Sequence, residues 1–178
     1  MNLEEIYPIT LKYQPFHDED GRVVEEESHY VHRMLDGVLS NWAENLLKEW
    51  LYRHAGCMED YAFLNLERLK FTLETWPLER VPGSEAFKDE SFCDNFDNIE
   101  ERAEGNEWLA RYMLKEGTWN TPIVLLENQE RYNLSTKVQL KQPYHLLEGH
   151  RRLSFLNGLR RLNKARPHHQ VWLAKIHT

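Results

Sequence analysis

Cysteine is scarce: of 178 residues only Cys57 and Cys93 carry a thiol, and they show no metal-ligand spacing. A disulfide scaffold and a thiolate zinc site are thereby excluded. No apolar run reaches the length needed to span a bilayer. The first residues lack the basic-then-apolar pattern of a secretory leader, which predicts a cytosolic protein with reduced thiols. Basic residues are outnumbered, 22 Lys and Arg against 29 Asp and Glu, for a net charge of −7. That balance argues against coating DNA, which needs a basic face, but it permits a local basic pocket. There is no Walker loop, no Gly-x-Ser-x-Gly and no His-Glu-x-x-His. His168, His169 and His177 have no matching carboxylate and predict no metal site.

What is present is globular: 41% of residues are hydrophobic and 12% aromatic, including six tryptophans. The segment that organises the reading lies at 144–159. Tyr144, His145, Leu146 and Leu147 form a short apolar run, as in a buried strand. Leu153, Phe155, Leu156 and Leu159 then recur at helical spacing. Gly149 is therefore predicted to turn a strand directly into a helix whose first turn carries His150, Arg151 and Arg152. Cations disfavour that end of a helix, where the dipole is positive, unless an anion sits opposite. A phosphate or carboxylate fits: glycine admits close approach, helix-end N–H groups point outward, and guanidinium groups give bidentate donors. The alternative is that both arginines are solvated or paired with the chain's own acids. Glu148 beside the turn is placed to bind Mg²⁺ or to take a proton from an attacking hydroxyl, or else to pair with Arg151 or Arg152.

Elsewhere the pattern predicts an extended arm at 6–11, a turn at 19–22 and a returning strand at 22–24. A helix from about residue 28 carries Val38, Leu39, Trp42, Leu46, Trp50 and Leu51 as an apolar stripe. A second helix at 59–75 would complete an antiparallel pair, which offers a face for a homodimer. A short strand at 78–81 and an acidic, irregular stretch at 83–98 come next, the latter anchored by Phe87, Phe92, Phe96 and Ile99. A helix at 100–116, with Trp108, Leu109, Tyr112 and Met113 on one side, ends at Gly117. Strands follow at 123–126 and 170–176, separated by a polar hairpin or loop at 128–142 and the strand–turn–helix. The expected fold class is α+β: an N-terminal arm and helix pair over 1–76, and a small mixed sheet with flanking helices over 77–178.

The order of Gly117, then Pro122, Ile123 and Val124, then Gly149, His150, Arg151 and Arg152 resembles the ParB/sulfiredoxin-like superfamily, over roughly 78–176. The resemblance implies a nucleoside triphosphate, ATP or CTP with Mg²⁺, held through its phosphates at Gly149, His150, Arg151 and Arg152. It also implies that Pro122 and Ile123 shape the adjoining wall. Glu148 and His150 become the candidate catalytic residues, for phosphotransfer or nucleotide hydrolysis. Where sulfiredoxins place a reactive cysteine before the His-Arg pair, this chain has Gly149, so sulfinic acid repair is not expected. No helix-turn-helix region follows the last strand, so DNA is not an expected partner. Two alternatives stand beside this reading. One is a non-enzymatic immunity or antitoxin-type protein that keeps the fold and covers a basic protein partner. The other is a Mg²⁺-dependent ParB-like nuclease.

Overall fold

The computed structural model describes residues 12–54, 61, 63–89, 92, 97–129 and 139–176. It is an α+β structure built on one four-stranded mixed sheet. Helix α1 (Glu27–Leu35) is followed by a short α2 (Glu44–Leu46) that continues as a π-helical turn (Leu47–Tyr52). A 3₁₀ turn (Leu66–Arg68) leads into β1 (Leu69–Pro77), and another (Ser84–Ala86) precedes α3 (Ile99–Glu104) and α4 (Trp108–Glu116). Strands β2 (Ile123–Glu127) and β3 (Tyr144–Glu148), helix α5 (His150–Arg161) and strand β4 (His168–Ile176) complete the chain. The sheet order is β1-β4-β2-β3, with β2 antiparallel to β3 and parallel to β4.

Contacts divide the chain into two units, Met1–Phe71 with Leu134–Val138 and Ile176–Thr178, and Thr72–Asn133 with Gln139–Lys175. In the first, Glu25 is the centre of a buried polar knot. Its carboxylate accepts Arg33 Nε at 2.8 Å and Nη2 at 2.7 Å, and the backbone N–H of Phe16 at 3.1 Å. Arg33 lowers the Glu25 pKa through that hydrogen bond, against the opposing effect of burial. Trp42 stacks on Trp50 and takes Phe71 edge-on, so both tryptophans are core residues.

In the second unit, side chains alternate across the strands as a period of two requires. Ile123, Leu125, Leu146, Val171 and Leu173 join Leu153, Phe155, Leu156 and Leu159 of α5 in one core. The intervening residues Val124, Leu126, His145, Leu147 and Ala174 are buried as well. Burial on both faces explains why β2 reads as an unbroken apolar run.

Several expectations are corrected. The helix at 59–75 does not form over its described part: 66–68 is a 3₁₀ turn and 69–77 is β1. Leu69, Phe71 and Leu73 satisfy a period of two as well as a helical one, and Phe71, Thr72, Thr75 and Trp76 favour the pleated form. The helix from residue 28 breaks after Leu35, where Asp36 caps α1 by donating its N–H to His32 at 2.8 Å. The helix at 100–116 breaks at Gly105 and Asn106, the latter with φ 74°, giving α3 and α4. Trp108 does not line the core side of α4 but is 62% exposed. Residues 78–81 form a turn rather than a strand, its carbonyls at Leu78 and Val81 accepting from Arg160. The turn at 19–22 closes a small hairpin through a His17–Val23 bridge, while the arm at 6–11 and Phe96 lie outside the described residues.

Candidate functional site

The strand–glycine–helix turn forms as its residues dictate. Gly149 has φ 99°, a left-handed conformation that a side chain resists. It also packs against β2: a Cβ there would lie 2.6 Å from Ile123 Cγ2. The backbone of β3 thus enters α5 directly, and Leu153 N–H closes the first helical bond on the Gly149 carbonyl at 2.9 Å. The N–H groups of His150, Arg151 and Arg152 occupy the first turn, where an α-helix supplies no acceptor.

The structure brings the predicted residues together but gives the two arginines different surroundings. Arg152 turns inward. Its guanidinium pairs with Glu148, one turn back across Gly149, both side chains being largely buried at 9% and 14% exposure. The same head donates to the Thr121 carbonyl at 2.9 Å, and the Pro122 carbonyl lies at 3.5 Å. Arg152 therefore braces β3 and the start of β2 against α5. Arg151 turns outward, 58% exposed, and reaches Glu107 at 3.3 Å. That distance is long for a charge-assisted pair, and such surface pairs contribute little.

Pro122 and Ile123 adjoin the turn, the first through its carbonyl and the second beneath Gly149. His150 lies edge-on to Phe87 and Phe92, each ring centroid 5.6 Å away, and its carbonyl accepts Ser154 Oγ at 2.9 Å. Sequence reasoning missed Glu107, Thr121, Phe87 and Phe92 as neighbours of the turn. Glu148 and Arg152 carried a signal: they are opposite charges on either side of the glycine turn, close enough in sequence for the turn to bring them together.

Of the C-terminal histidines, His169 is buried and satisfied. Its Nε2 donates to the Arg166 carbonyl at 2.9 Å, so Nδ1 accepts the Thr118 hydroxyl at 2.8 Å. Burial pushes its pKa down. Among the described residues no three His, Cys, Asp or Glu side chains form a group that could hold a metal, and no described helix is long and apolar enough to cross a membrane. The chain matches no family model, no curated protein and no solved structure.

Proposed function

We propose that this is a cytosolic nucleoside-phosphate-binding protein of ParB/sulfiredoxin-like architecture, its phosphates held at the first turn of α5. One observation carries the reading. A strand enters a 12-residue helix through a single left-handed glycine, with the exposed Arg151 guanidinium beside the helix end. Backbone N–H groups and one swinging cation suit a phosphate oxygen. Arg151 exchanges Glu107 for the ligand, while Arg152 acts as a positioning residue that holds the turn and Glu148 in place. Turnover of ATP or CTP with Mg²⁺, by phosphotransfer or hydrolysis, requires Glu148 to leave Arg152. A carboxylate engaged by a guanidinium is a poor base and a poor metal ligand.

The test is calorimetric titration of MgATP and MgCTP into wild type and Arg151→Ala. Wild type should bind one of them, and the variant should lose at least about tenfold in affinity. Its unfolding free energy should stay within about 0.5 kcal/mol, because the side chain is exposed. No heat from either nucleotide, or equal affinity in the variant, overturns the reading. Arg152→Ala is the contrasting control. It strands a largely buried carboxylate and should lower stability by about 3–5 kcal/mol.

A second reading has its own support: both arginines are engaged by carboxylates of the same chain, Arg152 by Glu148 and Arg151 by Glu107. The turn is then a structural joint, and the protein works by binding a basic protein partner without chemistry. Full stability and no nucleotide response in wild type, with a stoichiometric protein complex, would favour it.

A further inference from the structure

Trp108 stands out among the tryptophans. Trp42, Trp50, Trp76 and Trp119 are each buried, whereas Trp108, at the first position of α4, is 62% exposed. Its ring stacks on Tyr112, one turn along, with centroids 5.5 Å apart and planes inclined by 27°. Tyr112 is half-buried against the core, so the pair anchors an indole that itself stands in water, and exposed apolar surface of this kind can mark a contact site. The residue before Trp108, Glu107, is on the wall of a hollow of about 670 Å³, together with Asn98, Glu101, Arg102, Glu104 and Gly105. The lining holds three carboxylates, Glu101, Glu104 and Glu107, and one guanidinium, Arg102; Glu101 accepts from the Asn98 side-chain amide and Glu107 pairs with Arg151.

The two features select the same chemistry independently. A carboxylate wall attracts cations, and an exposed aromatic face attracts them through its quadrupole, more often arginine than lysine. A guanidinium is planar and weakly hydrated, stacks on rings and pairs bidentately with carboxylates, so it satisfies both at once. The same region already pairs with cations from within the chain, two guanidinium groups and one ammonium: Asp97 with Arg161, Glu107 with Arg151 and Glu100 with Lys164. A nucleic acid is disfavoured by the charge of the wall. A bare metal ion is disfavoured because the described residues offer no three-ligand group.

We propose that the α3–α4 face docks an arginine-bearing basic segment of a partner protein, with guanidinium groups taken up by the acid-walled hollow and by the Trp108–Tyr112 stack. The surface shares Glu107 with the α5 turn through its pair with Arg151, but the proposal does not need a nucleotide there, and the variants below leave Glu107 and Arg151 in place. The experiment uses the whole chain and two fluorescent probes, an oligo-arginine peptide and an oligo-lysine peptide of equal length, titrated by anisotropy at physiological salt. Oligo-arginine should bind more tightly than oligo-lysine. Trp108→Ala should weaken oligo-arginine by roughly fivefold, as loss of a cation–π contact would. Glu101→Gln with Glu104→Gln should weaken both peptides, and melting temperatures should not change. Equal affinity for the two peptides with no effect of Trp108→Ala would reduce the attraction to net charge and overturn the proposal. A wild-type dimer in sedimentation that Trp108→Ala converts to monomer would overturn it too, by assigning the face to a second copy.

Discussion

His145 shows what one buried side chain can impose. Its ring is withdrawn from solvent on β3, and Nδ1 accepts the Lys141 N–H at 3.1 Å, which only the neutral imidazole can do. Burial, with His150, Lys141 and Lys88 adding to it, pulls its pKa from 6.5 to about 4. Below pH 6.5 the unfolded chain takes up a proton that the native state refuses. Stability is therefore full above 6.5, falls as pH drops towards 4, and levels off below that for this group. The loss amounts to about 3 kcal/mol at most. Urea midpoints of wild type should decline over that interval, and those of His145→Asn should decline less; parallel declines would show that other groups set the acid limit. At the same scale, sequence spacing placed Arg151 and Arg152 beside Gly149 correctly but could not assign directions to their side chains. Arg152 points inward because Glu148 and the Thr121 carbonyl, 31 residues upstream, supply acceptors there.

The strand–glycine–helix joint is the element on which the candidate site depends. Replacing Gly149 with Ala forces a Cβ into a left-handed backbone and against Ile123. Strain and overpacking together should lower stability by about 2–4 kcal/mol. Ile123→Ala removes the Cγ2 that the new Cβ would strike, so the double variant should lose less than the two single losses combined. Strict additivity in chemical denaturation would mean that the glycine matters for its φ alone. This joint was legible because a short apolar run, a glycine and a helical stripe follow one another within 16 residues, each a local signal. Strand β1 was not legible. Its residues fit two periodicities, and the choice between them was made by the neighbouring strand β4 in the sheet.

Across the whole molecule, protection should follow burial on both sides of the sheet. Strands β2 and β4 are the inner pair in the order β1-β4-β2-β3, and Ile123, Leu125, Val171 and Leu173 lie wholly within the core. Native-state hydrogen exchange should be slowest at amides 123–126 and 171–174 and much faster in the six-residue α3, where Ile99 is the buried residue. Equal protection in α3 and β2 would show that opening is global rather than graded. The net charge of −7 acts at this scale as well: it sets a long-range bias towards cationic partners, which the α3–α4 face focuses locally.

Sequence alone determined the features that depend on near neighbours. These were the mixed α and β character, the apolar strands read at 123–126 and 144–147, each one residue longer in the structure, the glycine turn with its helix, and the terminal strand. Such features follow from periodicity and from backbone preferences that act over a few residues. Tertiary structure decided what depends on residues far apart in the chain. It made 69–77 a strand, set the Thr121 carbonyl against Arg152, gave Arg151 to Glu107, and left Trp108 in water. Each of these is a competition among partners that only folding brings within reach.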